Sequence, residues 1–121
     1  MQTGTFPRQM RLTSPADYQQ VFNDPDKCKS VDGVFTILAR RNGLTHARLG
    51  LAIAAKHLKH AVSRNRVKRQ IRESFRLNQL LLAGLDIVVI SRVDTGKSDN
   101  KNLRKALDKH WAKIIERCEN C

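Results

Sequence analysis

Residues 56–76 have the sequence KHLKHAVSRNRVKRQIRESFR, the most strongly basic stretch of the chain. Eight of these residues are Lys or Arg and one, Glu73, is acidic, so 21 residues carry +7 of the formal net charge of +12. Val67, Ile71 and Phe75 recur at intervals of four, which predicts a helix with one apolar face ready to pack on a sheet.

The predicted helix extends from about Ser63 to Gln79, and its other face is a row of cations around Asn65. Arg64, Lys68 and Arg72 follow at intervals of four, where like charges destabilise a helix by about 0.2–0.5 kcal/mol per pair. A phosphate backbone along this face would reverse that sign, and arginine suits the task because its planar fork donates two hydrogen bonds to phosphate oxygens. The alternative, an ordinary solvated basic face, is disfavoured by the scarcity of acids.

The whole composition points the same way, because 23 Lys and Arg stand against 11 Asp and Glu in 121 residues. Such an excess costs stability through self-repulsion unless a polyanion offsets it, so nucleic acid is the first candidate partner and an anionic membrane surface the second. The longest apolar runs, such as residues 87–90, are far shorter than the roughly 20 residues of a membrane span. No signal peptide is expected in residues 1–10.

Three cysteines, an odd number, favour a reducing compartment without a disulfide framework. Cys118 and Cys121 have the spacing of a metal or redox pair, but no second pair follows them. The alternative is a frayed tail.

Outward from the basic stretch, the sequence predicts a helix capped by Ser14 and running to about Asn23. Val31 to Arg41 and Arg48 to Ala54 have strand character, and the turn signal between them predicts a hairpin. On the far side we expect a short apolar strand, Leu85 to Ser91.

A polar loop over Thr95 to Asn100 and a last helix from about Lys101 to Arg117 complete the order helix, strands, helix, strand, helix. The apolar stripe of that helix comprises Leu103, Leu107, Trp111, Ile114, Ile115 and Cys118. The fold class is therefore α+β, with helices packed on one sheet of about four strands. The expected organisation is a single domain over 1–121, with a flexible arm at 1–10 and a flexible tail at 118–121.

The segment Ser63–Arg76 (SRNRVKRQIRESFR) strongly resembles the RNR motif of the bacterial ribonuclease P protein family. The strand that leads into it, Arg48–Ile53 (RLGLAI), is similar too, and so are Arg11-Leu12, Tyr18 and Val21-Phe22 near the start. The resemblance spans about residues 8–117.

The resemblance implies a two-layer, ribosomal-S5-domain-2-like sandwich with a left-handed βαβ crossover. It implies an accessory subunit of an endoribonuclease whose catalytic centre lies in an RNA that uses Mg²⁺ to free the 5′ end of tRNA. This chain would bind no cofactor or metal itself. Its partners would be the catalytic RNA and precursor tRNA in the bacterial cytoplasm, with no membrane and no obligate protein partner.

Carried over by position, the RNA-binding residues of the RNR helix are Arg64, Asn65, Arg66, Lys68, Arg69, Arg72 and Arg76. The expected cleft for the single-stranded 5′ leader comprises Tyr18, Phe22, Phe35, Ile37 and Lys56. Tyr18 and Phe22 are four residues apart on one helix face; core packing is the alternative to a stacking platform for bases.

The sequence departs from the family in three places. Tyr18 stands where phenylalanine is usual, Ala55-Lys56 where two lysines are frequent, and Asn23 to Lys29 replaces a tight glycine turn. Leader preference is expected to differ as a result.

Three rival functions remain at this point. A protein-only nuclease would use His46, His57, His60 or His110, but no acidic cluster accompanies them. A ribosomal or other structural RNA-binding protein would share the basic helix. A helix-turn-helix DNA-binding protein is disfavoured because a strand, not a supporting helix, precedes the basic helix.

Overall fold

A computed structural model describes residues 10–119 of the protein. Within them the elements follow in the order helix, three strands, helix, strand, helix, with a short 3-10 helix before the last. This order and the α+β class confirm the sequence prediction. The elements are α1 Pro15–Asn23, β1 Cys28–Val31, β2 Phe35–Arg41, β3 Arg48–Ala52, α2 Ala61–Asn78, β4 Leu85–Ser91, the 3-10 helix Val93–Lys97 and α3 Asn100–Glu119.

Helix α1 begins where its capping residues predict. Ser14 Oγ accepts a hydrogen bond from the Asp17 amide at 3.2 Å, and the Asp17 carboxylate accepts from the Ser14 amide at 3.3 Å. This reciprocal pair is a capping box. Burial would raise the pKa of Asp17, but hydrogen bonds from the Ser14 and Thr13 amides outweigh it and hold that pKa below its ordinary value of 3.8.

The sheet has the strand order β1-β2-β4-β3, so the predicted hairpin between β2 and β3 is wrong. Strand β4 lies between them, antiparallel to β2 and parallel to β3. The physical reason is that residues 85–89 are all buried, and a strand buried on both faces takes an interior position with a partner on each edge. Strand β1, at the sheet edge, was not predicted apart from Val31.

Helices α2 and α3 cover one face of the sheet. Val67, Ile71 and Phe75 are fully buried, which confirms the apolar face predicted for α2. The α3 stripe is likewise buried, except that Ile115 is half-buried, and Trp111 Nε1 donates to Ser74 Oγ at 2.9 Å across the two helices. Cys118 is only 5% exposed, so the expected flexible tail does not begin there; Cys121 lies outside the described residues.

Helix α1 lies on the opposite face, where Leu12, Val21, Leu38 and Val88 form a second small core. The expected flexible arm falls on residues 1–9, outside the described part of the chain, and on Met10, which packs against the main core. Between residues 10 and 119 we find no helix that is both long and apolar enough to span a membrane.

Candidate nucleic-acid interface

Helix α2 presents its predicted cations in two groups that differ in their hydrogen bonding. Arg64 Nη1 donates to the carbonyls of Leu58 and Lys59 at 2.8 and 3.0 Å. These bonds hold the loop before the helix against its first turn. Arg64 therefore stabilises the loop before α2 in addition to adding charge to this surface.

Arg66 is also tied down within the molecule. Its Nη1 donates to Asn100 Oδ1 at 2.8 Å and its Nη2 to the Ser98 carbonyl at 3.3 Å, which fixes the start of α3 beside α2. Arg76 pairs with Glu73 on the helix surface. That ion pair raises the pKa of Arg76 and lowers the pKa of Glu73.

The second group comprises Asn65, Lys68, Arg69 and Arg72. Within residues 10–119 none of these four side chains has a hydrogen bond or ion pair to another residue. Asn65, Arg69 and Arg72 are exposed, and Lys68 is half-buried. The uncompensated cations of this group are positioned to bind phosphates, and the Asn65 amide can meet a base or ribose edge.

Beside α1 the sheet carries three parallel rows of side chains. Arg40, Asp86 and Arg48 form the first row and Leu38, Val88 and Gly50 the second, as the strand register dictates. Helix α1 covers these two: Asp24 pairs with Arg40, Val21 joins the second core and Tyr18 lies on Gly50. The third row is Val31, Thr36, Ile90 and Ala52.

This third row stays partly open to solvent, and we call the surface that it forms the cleft beside α1. Val31 is 42% exposed, while Thr36, Ile90 and Ala52 are half-buried. At its edge Arg92 donates to Thr36 Oγ1 at 3.3 Å. The sequence did not indicate these four residues or Arg92 as candidates. The alternation of β2 could have indicated Thr36 once the buried face of that strand was known.

Tyr18 and Phe22 lie on the side of α1 that faces this row. Gln20 and Asp24, on the helix's other side, bond to Arg40 in the first row. Phe22 is 37% exposed and Tyr18 half-buried, so both rings border the cleft. Tyr18 also accepts a hydrogen bond from the Leu51 amide at 3.2 Å, which fixes its ring.

Phe35 and Ile37 do not line this cleft, contrary to expectation. Both are fully buried in the core beneath α2 and α3. Because side chains alternate along a strand, their neighbours Thr36 and Leu38 face α1 instead.

Lys56 is exposed in the loop between β3 and α2. It borders a cavity of about 480 Å³ whose lining includes three lysines and two histidines. The N-terminus of α2 opens beside it: His60 makes no side-chain cap, and the first turn has no acid. The unsatisfied amides there favour an anion. The cavity is lined by Lys56, His57, Leu58, Lys59, His60, Ser63, Val93, Gly96 and Lys97.

The histidines do not converge on one site. His57 Nδ1 lies 3.0 Å from Ser91 Oγ. His110, a buried residue of α3, faces β1 and the β1–β2 turn, with Nδ1 2.7 Å from Ser30 Oγ and Nε2 3.0 Å from Asp32 Oδ2. Ser30 is fully buried and His110 is only 2% exposed, so this imidazole is closed to a substrate. Among residues 10–119 no three His, Cys, Asp or Glu side chains are grouped to hold a metal ion.

Comparison with known proteins finds a matching family model and close relatives along nearly the whole chain. A family model described as Ribonuclease P matches residues 6–115. The ribonuclease P protein component of Methylococcus capsulatus is 47% identical over 113 residues, which cover 93% of this chain and 87% of that protein. That of Histophilus somni strain 2336 is 48% identical over 110 residues, or 91% of each.

Solved structures agree. The ribonuclease P protein of Staphylococcus aureus superposes with a TM-score of 0.78 at 27% identity, covering 88% of this chain and 97% of that one. The ribonuclease P protein of Thermotoga maritima gives 0.75 at 31% identity, covering 86% and 96%.

Proposed function

The chain belongs to the ribonuclease P protein family, and we propose that it uses two separate surfaces in its role. That role is to act as an accessory subunit of an endoribonuclease and as a partner of the ribonuclease P RNA. The first is the unpaired group on α2, which binds the catalytic RNA. The second is the cleft beside α1, which binds the single-stranded 5′ leader of precursor tRNA. The observation that carries the proposal is the uncompensated charge of Lys68, Arg69 and Arg72 next to an open apolar cleft.

Binding of the catalytic RNA follows from electrostatics. Each phosphate that a lysine or arginine neutralises releases condensed counterions, so affinity depends steeply on salt. Arg64 and Arg66 hold the loop and α3 in place, which presents the unpaired group on a rigid helix. Neutralised RNA folds at lower magnesium concentration, and the magnesium chemistry belongs to the RNA in this proposal.

The cleft beside α1 suits an unpaired strand. Its floor of Val31, Thr36 and Ile90 is mostly apolar, and the rings of Tyr18 and Phe22 offer stacking surfaces worth about 1–3 kcal/mol per base. Arg92 and Lys56 supply charge for the backbone. Mature tRNA has no leader, so this contact favours substrate over product without a protein group at the scissile bond.

The test is cleavage of a precursor tRNA by a bacterial ribonuclease P RNA at low magnesium, with and without the protein. We expect cleavage only when both are present, and tighter binding of precursor than of mature tRNA. Lys101→Gln, on the exposed start of α3, is the matched loss of one charge outside both surfaces and should leave the rescue intact. Absence of rescue together with tight binding of ribosomal RNA would overturn the proposal in favour of a ribosomal role.

A further inference from the structure

A small cavity of about 180 Å³ lies where the segment before α1, the helix itself, β3 and α2 meet. Three of its lining side chains are cations and none is acidic. The others are apolar, apart from the phenol of Tyr18. The cavity is lined by Arg11, Leu12, Tyr18, Leu49, Leu51, Lys68 and Arg72.

The backbone brings these cations together from distant parts of the sequence. Arg11 bridges to Leu49 at the edge of β3, and the Leu12 amide donates to the Leu49 carbonyl at 3.0 Å. Lys68 and Arg72 stand one turn apart on α2. Tyr18 is fixed by its bond from the Leu51 amide, which leaves the phenol proton free to donate.

The charges at this point repel one another. Partial burial first, and then the charge of Arg11, lower the pKa of Arg72. Asp17, which lies nearby on α1, has its carboxylate engaged by the Ser14 amide and approaches Arg48 at 4.0 Å. An anion in the cavity would relieve the repulsion, and the apolar walls would strengthen its attraction to the cations.

The size of the cavity restricts the anion. Small-molecule sites usually measure about 300–1,000 Å³, and this cavity is smaller, too small for a whole nucleotide but large enough for one phosphate. It also lies between the unpaired group on α2 and the Tyr18 side of the leader cleft. A polynucleotide that follows either surface therefore brings a phosphate to its mouth.

We propose that Arg11, Lys68 and Arg72 form a binding site for a single phosphodiester of RNA, joining the two surfaces. The source of the RNA rests on the function proposed above, whereas the site itself does not. The bound phosphate would fasten the segment Met10–Thr13 to α2. It would thereby hold Tyr18 against β3.

The site is tested first on the free, full-length protein. Inorganic phosphate and dimethyl phosphate are titrated at constant ionic strength while backbone amide signals are followed by NMR. We expect saturable shifts centred on Leu12, Leu49 and Leu51, lost in Arg11→Gln and in Arg72→Gln. Arg69→Gln removes one cation from the same helix outside the cavity and should keep them.

Equal shifts in all three variants would overturn the site and indicate diffuse screening. Circular dichroism of each variant checks folding, and either Arg11→Gln or Arg72→Gln remains decisive if the other fails to fold.

A double-mutant cycle tests the site in RNA binding. We expect Arg11→Gln and Arg72→Gln each to weaken binding about tenfold or more, and the double variant to lose much less than the product because both share one phosphate. In contrast, the losses of affinity caused by Arg11→Gln and by Arg69→Gln should multiply in the double variant.

Coupling seen with ribonuclease P RNA alone assigns the phosphate to that RNA. Coupling seen only in the ratio of the affinities for precursor and mature tRNA assigns the phosphate to the leader. Multiplicative losses in both would contradict a shared phosphate. If cleavage is not rescued but phosphate titrates as expected, the proposed function fails and the site stands. If cleavage is rescued but the two variants show no coupling, the proposed function stands and the site fails.

Discussion

The ring of Tyr18 lies on Gly50 so closely that a Cβ at position 50 would stand 2.6 Å from Tyr18 Cε1. The same Cβ would stand 3.0 Å from Leu12 Cδ1. The missing side chain of Gly50 therefore lets α1 pack closely on β3 and sets the position of the Tyr18 ring at the cleft beside α1.

We expect Gly50→Ala to destabilise the protein by about 1–3 kcal/mol through overpacking, and to reduce the preference for precursor over mature tRNA. Urea unfolding and the two tRNA affinities measure these effects. Combining Gly50→Ala with Tyr18→Ala removes the clash with the ring and leaves only the contact with Leu12, so the cost of the glycine change should shrink in that background. An unchanged cost would show that the ring does not set the spacing.

Tyr18→Phe tests the phenol separately from the ring. The variant loses the 3.2 Å hydrogen bond from the Leu51 amide, which should cost about 0.5–1.5 kcal/mol of stability. The preference for precursor tRNA should persist, because the stacking surface remains. Tyr18→Ala should abolish that preference, and equal behaviour of both variants would argue against a stacking role.

Arg48 neutralises a fully buried carboxylate. Its guanidinium donates to the two oxygens of Asp86 at 2.8 and 2.7 Å, and Asp86 has no exposed surface. These bonds raise the pKa of Arg48. Arg48→Met leaves that charge without its main partner and should cost about 3–5 kcal/mol, measured by thermal or urea unfolding.

Arg40→Met is the matched control, because Arg40 approaches Asp86 no closer than 3.8 Å. It should cost clearly less than Arg48→Met. Equal losses would mean that Arg48 is not the principal partner.

The RNR residues should separate into two classes by experiment. Arg69→Gln should leave the free energy of unfolding unchanged and reduce the slope of log affinity against log salt by about 0.7–0.9. Arg66→Gln breaks the bonds to Asn100 and Ser98, so it should lower stability as well as affinity. Identical stability of both variants would refute the division.

Acid should weaken the contact between α3 and the β1–β2 turn. Burial would raise the pKa of Asp32, but hydrogen bonds from the Phe35 amide, His110 and the Val34 amide outweigh it and lower that pKa from 3.8. The stabilisation is therefore complete above that value and is lost as the pH falls through the lowered pKa.

Asp32→Asn should cost about 1 kcal/mol or less at neutral pH, since the side chain is 38% exposed. Its stability should also fall less steeply than that of the parent in urea unfolding between about pH 2.5 and 5. Parallel acid profiles would assign the acid sensitivity to other groups.

The sequence by itself determined the properties that depend on neighbours along the chain. The Ser14 cap, the apolar stripe of α2 and its cationic face follow from spacing and local hydrogen bonding, and the RNR motif identified the family. These features hold whatever the sheet order is, because a helix sets its own periodicity.

The tertiary structure decided everything that depends on which strands pair. Only the insertion of β4 between β2 and β3 shows that Thr36, Ile90 and Ala52 form one row, while Phe35 and Ile37 turn to the other face. Period-2 alternation is known from sequence, but its phase relative to α1 is fixed by long-range packing. Arg11 and Arg72, 61 positions apart, likewise meet only because the segment before α1 joins β3 beside α2.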